Sequence, residues 1–152
     1  MNDLVLKNAI PAMTSGDIEK VRALEERVLE LPQEKIATHH IFHAGMYSRT
    51  IKMPAGTVLT GALIKRATML IVCGEVTVYI GDKTLELSGY FVLPASGNRK
   101  QAFLAKSDTY LTMMFATEAK TVAEAEAEFT DEAGILFSRK EGYENIVTVT
   151  GE

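Results

Sequence analysis

The sequence is poor in cysteine and in long apolar runs. Cys73 is the single cysteine among 152 residues, so no disulfide can form within the chain, which fits a reducing compartment. A membrane-spanning helix needs about 20 consecutive apolar residues, and no run approaches that length. The start, MNDLVLKNAI, lacks the basic residues and apolar stretch of a signal peptide. We therefore expect a cytoplasmic protein with no membrane partner.

The chain also lacks an excess of positive charge. The formal net charge is −4, from 16 Lys and Arg against 20 Asp and Glu. A broad nucleic-acid-binding surface needs a basic face or stripe, so we expect no nucleic-acid partner. Hydrophobic residues make up 47% of the chain. A chain of this length and composition can bury one core without disulfide or metal staples.

The first part of the chain predicts an amphipathic helix. Apolar residues recur there at helical spacings of three and four: Ile18, Val21, Leu24, Val28 and Leu31. Thr14 and Asp17 resemble a capping box, and Pro32 stands where the helix would stop. We expect an N-terminal helical extension over residues 1–33, packed on the rest of the domain or on a partner subunit.

Residues 34–117 predict a β-domain. Short segments rich in β-branched and aromatic residues alternate with Gly, Pro, Asp or Ser: MYSRTIKMP, TMLIVCG, EVTVYIG, KTLELSG, YFVLPA, KQAFLAK and TYLTMMFA. Such spacing favours an all-β sandwich or barrel over βαβ units. Turns are predicted at Gly74-Glu75 and Gly81-Asp82, on either side of a strand that alternates between apolar and polar residues.

Residues 118–152 predict a short helix followed by an edge strand. TVAEAEAEF is rich in Ala and Glu, which favour helices, and its apolar stripe is thin. The EAEAE run itself is most simply a solvated helix face. Gly134 is the expected C-cap. This tail would either contribute to a subunit contact or simply extend the domain.

At this point the residues resemble a known family. The order PAGTVLTG, a strand, GEVTVYIGD, a strand, SGYFVLPASGNR is similar to a single-domain cupin over about residues 45–117. More narrowly, LPQEKIATHHIFHAGMYSRTIKMPAGTVLTG resembles small cupin-like proteins of bacteriophages and prophages. The resemblance implies a mainly β fold, a double-stranded β-helix or jelly-roll barrel with an N-terminal helix and a short C-terminal helix. For a phage protein it also implies the host cytoplasm or the virion, and other phage proteins as partners.

Cupins usually hold a divalent metal through two His and a Glu of a first motif and a His of a second. The first motif runs here from Gly56 to Gly74, one residue shorter than the cupin pattern. Its histidine positions fall on Ala62 and Ile64, and its glutamate position falls within residues 67–69. Methyl and branched alkyl side chains cannot ligate a metal.

The second cupin motif is also altered. Gly89, Pro94 and Gly97 approximate its frame, and its histidine position falls at Arg99 or Lys100. With all the ligand positions changed, we expect the cupin metal site to be absent and the protein to carry no cofactor.

Basic residues stand close to the lost ligand positions. Lys65 and Arg66 lie beside the first motif's positions, and Arg99 and Lys100 lie at the second's. In a cupin barrel the two turns meet at one end, so the resemblance implies a cationic mouth for a small anionic ligand, with Arg as a bidentate fork. The alternative is that these are ordinary solvated turn residues. A register slip of one residue would also turn Lys65 outward.

Other candidate residues lie on predicted strands. Tyr47, Arg49 and Tyr90 are candidates for lining a pocket in the barrel. His39 and His43 would share one face of a strand and are secondary candidates for a surface metal site. No Cys, Asp or Glu stands near them to complete a metal shell, so packing or hydrogen bonding is the alternative.

Two classes of function stay open. The first is a non-catalytic binding or assembly module on a cupin scaffold, a homo-oligomer that buries apolar edge strands between subunits. The second is a metal-independent sugar isomerase or epimerase with a His base and a Tyr acid, for which His39, His40 or His43 would have to reach the pocket from the first strand. Because the barrel motifs contain no histidine, the residues favour the first class.

Overall fold

Eight strands form one curled sheet in the computed structural model, which describes residues 9–152. We number the elements in chain order: α1 Ser15–Val28, β1 Thr38–His43, β2 Met46–Met53, β3 Val58–Thr60, β4 Thr68–Ile80, β5 Lys83–Ala95, β6 Ala102–Ala105, β7 Thr109–Ala116, α2 Val122–Phe129 and β8 Asn145–Val149. Two 3-10 turns, Ala133–Ile135 and Phe137–Arg139, connect α2 to β8. The mainly β fold with a helix near each end is confirmed.

The sheet curls because β4 changes its neighbour half-way. The strand order is β3-β6-β4-β7-β2-β1-β8, with β5 also paired to β4. Residues 69–73 of β4 pair with β7, and residues 76–79 pair with β6. Gly74 lies between them at a φ of 142°, where a Cβ would come within 2.5 Å of the Thr109 hydroxyl. Only glycine fits this close approach.

Gly74 is therefore a bend inside a strand, and the turn predicted there is wrong. It faces Gly89 across the β4–β5 ladder, which runs without interruption through both glycines. Four separate strands were predicted before and after Gly74 and Gly89. In the structure they form two long strands, β4 and β5, of 13 residues each. The second predicted turn, at Gly81 and Asp82, does connect β4 to β5.

The helix α1 begins as its sequence predicts. The Thr14 hydroxyl accepts a hydrogen bond from the Asp17 amide at 3.1 Å, and Ile18 and Val21 are buried. Leu31 lies beyond the end of α1 and is 61% exposed, so the stripe predicted through it is too long. The first eight residues of the predicted extension over 1–33 lie outside the described residues, and the domain boundaries stay predictions.

Apolar side chains fill the barrel and pack beneath both helices. Four fully buried members of the barrel cluster are Met53, Val72, Val78 and Leu93. Burying such a side chain stabilises the fold by about 1.5–3 kcal/mol. A second cluster packs α2 onto the sheet, and its aromatic members are Phe42, Tyr47, Phe115 and Phe129. A third, smaller cluster lies under α1.

The C-terminal segment folds back over the barrel. The helix α2 begins at the Thr121 cap and ends at Phe129, so the C-cap predicted at Gly134 is wrong: that residue lies in a 3-10 turn. The predicted edge strand is present as β8, which pairs in parallel with β1 and has every residue exposed. Within residues 9–152 no helix has both the length and the apolar character needed to cross a membrane.

Candidate functional site

A cavity of about 160 Å³ lies between the inner face of the barrel and the C-terminal segment. Its apolar wall includes Leu59, Leu70, Leu111, Met113, Phe129 and Phe137. Four side chains with polar ends also line it: Arg49, Thr60, Arg99 and Gln101. An apolar cavity of about 150 Å³ can take up benzene. The cavity is therefore large enough for one small organic molecule.

Arg99 is a buried cation at the cavity wall, only 2% exposed. Its guanidinium donates to the Ser96 carbonyl at 2.5 Å, the Arg66 carbonyl at 3.3 Å and the Thr68 hydroxyl at 2.8 Å. No carboxylate in residues 9–152 pairs with it, and burial alone lowers the pKa of Arg99 to about 10. Arg99 therefore remains charged at neutral pH, without a counter-charge among the described residues.

Gln101 lines the same cavity as Arg99. It follows Arg99 by two residues in an extended segment, so both side chains lie on the same face. Gln101 is 5% exposed, and its amide nitrogen has no partner within the part of the chain that the structure describes. Leaving such a group unpaired costs about 1–3 kcal/mol. Native proteins pair almost all buried polar groups, so this amide has room for an acceptor, which a water or a bound molecule would supply.

Arg49, the second guanidinium at the wall, is paired. It donates to Glu126 Oε2 at 3.2 Å and to the Ser138 hydroxyl at 3.2 Å, and Arg139 donates to Glu126 Oε1 at 2.6 Å. Burial raises the pKa of Glu126, but hydrogen bonds from Ser138 and Arg139 and the charge of Arg49 together hold that pKa below its ordinary value. Glu126 is therefore ionised and is shared by Arg49 and the partly exposed Arg139. Arg49 thus has a carboxylate partner, which Arg99 lacks among the described residues.

The positions that correspond to the cupin metal ligands do not suit a metal. Ala62 and Ile64, at the two histidine positions of the first motif, both line the cavity. Thr68, in the glutamate region, accepts a hydrogen bond from Arg99. The described part of the cavity wall has no His, Cys, Asp or Glu side chain, and no group of three or more such residues in the described ranges could hold a metal ion. A divalent metal does not fit this wall.

Lys100, the neighbour of Arg99, lies away from the cavity. Its ammonium is fully buried and contacts Glu25 at 3.0 Å, Glu132 at 3.7 Å and the Gly61 carbonyl at 2.8 Å. Consecutive residues of an extended chain point to opposite faces, which separates Lys100 from Arg99 and Gln101. Lys100 connects the barrel to α1 and to the C-terminal segment.

The other two predicted cations contact carboxylates of the C-terminal segment. Lys65 lies 2.7 Å from Asp131, and Arg66 lies 3.7 Å from Glu128 with its guanidinium over the Phe115 ring. Both side chains are more than one-third exposed. Of the four predicted cations the structure brings only Arg99 to the described cavity wall, so a shared four-cation site does not form there. Anion binding itself stays a prediction.

The three predicted pocket residues have three different environments. Arg49 lines the cavity, whereas Tyr90 is 67% exposed on the outer face of β5. Tyr47 is fully buried behind the wall, and burial raises the pKa of Tyr47 to about 12. Its hydroxyl lies 2.7 Å from His40 Nδ1, and His40 Nε2 lies 2.8 Å from the Asn145 amide oxygen. Because Nε2 must donate to that oxygen, Nδ1 accepts from Tyr47.

His39 and His43 share the exposed face of β1, as their spacing predicts. His43 Nδ1 lies 2.7 Å from the Thr150 hydroxyl and His43 Nε2 lies 3.9 Å from Glu152. A metal site on this face stays a prediction.

Two residues of the site were missed in the sequence, Gln101 and Glu126. Gln101 could have been predicted, because residues two apart in an extended segment lie on the same face, and Gln101 follows Arg99 by two residues. Glu126 was not, because it lies within an EAEAE run that suits a solvated helix face.

No protein-family model matches the chain, and no curated protein sequence is significantly similar to it. Similar solved structures include a cupin-superfamily protein from Desulfitobacterium hafniense, 12% identical over 60% of this chain and 87% of that one, with a TM-score of 0.44. A cupin-2 domain-containing protein from Shewanella frigidimarina is 11% identical over 61% and 91%, with a TM-score of 0.41. Ectoine synthase from P. lautus is 19% identical over 68% and 81%, with a TM-score of 0.49. These values are too low to indicate an activity, ligand or partner.

Proposed function

We propose that the protein is a non-catalytic binding module that holds one small organic anion in its barrel cavity without a metal. The observation that carries the proposal is Arg99, a buried guanidinium with no counter-charge among the described residues, at the wall of an apolar cavity. Isolated buried charges are costly and are normally paired or neutralised. A bound anion would supply the missing partner.

Nuclear magnetic resonance of the cavity methyl groups tests this proposal. Met113 lines the cavity, so the resonance of its ε-methyl should shift when one of a set of small probes enters: benzoate, benzamide, isovalerate and inorganic phosphate. The variant Ala62→Leu puts a larger side chain into the cavity and should abolish the shift. The matched variant Ala127→Leu makes the same change at an exposed site on α2 and should leave it intact.

A wild-type Met113 methyl resonance that does not shift with any of the probes would contradict the proposal. Binding that persists unchanged in Ala62→Leu would also contradict it, because the probe would then lie outside the cavity.

The alternative of a sugar isomerase or epimerase has less support. Its base and acid would have to face the substrate, and the fully buried histidine and tyrosine of the described residues are His40 and Tyr47. These two contact each other, and neither belongs to the described cavity wall. A sugar would also leave hydroxyl groups unpaired against an apolar wall.

An assembly role is a second candidate, favoured by the outer face of the sheet. Tyr90 and Tyr110 lie on either side of Cys73 in neighbouring strands, and Met69 lies opposite Met114. With Val92 these residues form an apolar outer face, on which Tyr90 is 67% exposed and Val92 is 49% exposed. Contiguous apolar patches of this kind mark interaction sites. We propose a second copy of the chain as the occupant; other phage proteins rest on the sequence resemblance alone.

Light scattering with size-exclusion chromatography tests this assembly. Val92→Lys should convert an oligomer into a monomer, because it places a charge in the buried interface. The matched variant Val147→Lys changes a side chain of equal exposure, 49%, on the edge strand β8 and should not. A wild-type protein that is monomeric at high micromolar concentration would contradict the assembly role.

A further inference from the structure

The charges and shape of the cavity narrow the class of molecule that it would hold. We propose that the cavity binds a compact monocarboxylate whose apolar body is about the size of one benzene ring, with its carboxylate on Arg99 and Gln101. The assignment rests on the proposed function, because it names the ligand class of the same cavity.

The number of unpaired charges at the wall favours an anion of charge −1. Arg49 is paired with Glu126, which it shares with the partly exposed Arg139, and Lys100 lies outside the cavity, paired with Glu25. Arg99 is then the one cation without a counter-charge at the described cavity wall. A monoanion would balance it. A dianion would leave a second, uncompensated charge in a low-dielectric site, which is costly.

The free polar groups at the wall are hydrogen-bond donors. The guanidinium of Arg99 carries donors only, and its bonds to Ser96, Arg66 and Thr68 all come from the two terminal nitrogens. None of the hydrogen bonds that Arg99 donates to the described residues comes from its Nε–H, and the Gln101 amide nitrogen has no partner among residues 9–152. The terminal torsion of glutamine is soft, so this amide can turn towards a ligand. A carboxylate has two acceptor oxygens, one for each donor.

The rest of the wall selects an apolar body. Leu70, Leu111, Met113 and Phe129 surround the space with carbon and sulfur atoms. Hydroxyl or amide groups on the body of a ligand would lose their hydrogen bonds to water without replacement. The volume of about 160 Å³ then limits the body to one ring or a short branched chain.

Calorimetric titration of the full chain with three probes tests this ligand class. Benzoate has the expected charge and size, benzamide is its neutral counterpart of similar shape, and inorganic phosphate is an anion without an apolar body. We expect benzoate to bind at least about tenfold more tightly than benzamide, because its hydrogen bonds are charge-assisted. We expect no measurable binding of phosphate.

Two variants assign the preference to the two donors. Arg99→Gln removes the charge and should make benzoate and benzamide bind about equally. If this variant does not fold, Gln101→Leu still tests the site, because it removes the amide donor and should reduce the preference for benzoate several-fold. Gln33→Leu is the matched control: Gln33 is exposed and bonds its own segment's carbonyls, so benzoate affinity should not change.

The outcomes separate this ligand class from the proposed function. If benzamide binds wild type as tightly as benzoate, the cavity binds small molecules but the carboxylate assignment fails. If phosphate binds more tightly than benzoate, the anion class is wrong. If no probe binds and the Met113 methyl does not move, both the ligand class and the proposed function fail.

Discussion

Ile64 and Arg99 face each other at the cavity and exchange both backbone hydrogen bonds, at 2.8 and 3.2 Å. In the sequence resemblance to cupins, Ile64 falls at the second histidine position of the first motif, and the histidine position of the second motif falls at Arg99 or Lys100. The side chains of Ile64 and Arg99 both line the cavity. The pair therefore gives the wall an alkyl group and a positive charge, and neither side chain is a metal ligand.

Lys100→Gln separates the function of Arg99 from that of its neighbour. Lys100 is fully buried between Glu25 and Glu132, so its loss leaves two carboxylates without their shared cation. We expect the free energy of unfolding to fall by roughly 3 kcal/mol, with benzoate affinity unchanged. Urea denaturation and calorimetry measure the two quantities. Lys65→Gln is the control: it removes an exposed ion pair and should change neither the stability nor the benzoate affinity by much. A large loss of benzoate affinity in Lys100→Gln would contradict this account and support the four-cation site.

Glu126→Gln tests the buried ion pair beneath the C-terminal segment. The substitution leaves Arg49, whose side chain is 12% exposed, without its counter-charge. Breaking one side of a buried pair costs about 3–5 kcal/mol, so the denaturation midpoint should drop steeply. Glu128→Gln on the same helix removes a half-exposed pair with Arg66 and should cost less than about 1 kcal/mol. Equal effects in the two variants would mean that Glu126 is not in a buried pair.

Stability should fall as the pH drops below about 6.5, because His40 is buried in its neutral form. Burial lowers the pKa of His40 from its ordinary 6.5, and the charge of Arg49 lowers it further. The hydrogen bond that His40 donates to the Asn145 oxygen acts in the opposite direction but is the weaker effect. Between that ordinary value and the lower folded value the unfolded chain binds a proton that the folded chain does not. Each pH unit in this window then costs up to about 1.4 kcal/mol.

Denaturation at pH 7 and pH 5.5 measures this loss, and His40→Gln, which cannot titrate, is the control. The variant should show a smaller difference between the two pH values than the wild type. If the wild-type protein has the same free energy of unfolding at both pH values, folding does not lower the pKa of His40.

Gly74→Ala should destabilise the barrel. Its φ of 142° is strained for other residues, and the added Cβ would lie 2.5 Å from Thr109 Oγ1 and 2.8 Å from the Asp108 carbonyl. We expect a loss of at least about 2 kcal/mol in the free energy of unfolding. Gly134→Ala is the matched control, because nothing lies within 4 Å of its Cβ, and it should be nearly neutral.

The alternation of apolar residues and their helical spacing were sufficient to predict the fold class, because these patterns show which face of each strand or helix is buried. They were not sufficient to predict where a long strand bends. Gly74 and Gly89 look like turn residues, since glycine punctuates turns far more often than it marks a bend inside a long strand. That they pair with each other depends on a register that the local sequence does not contain.

The candidate site was harder to predict because its partners are distant in sequence. Glu126 and Arg49 are 77 residues apart, and nothing in the EAEAE run distinguishes the buried glutamate from its exposed neighbours. The position of Arg99 in the second motif made it a candidate. The sequence did not show which of Arg99 and Lys100 faces the cavity, because that depends on the strand register, which the altered motif does not fix.

The most direct test follows the Arg99 Nε–H resonance during a benzoate titration, with the signal assigned by its disappearance in Arg99→Gln. A carboxylate on Arg99 predicts a downfield shift that saturates at one benzoate per chain and that benzamide does not reproduce. If the resonance stays in place while benzoate is in large excess, Arg99 does not bind a carboxylate.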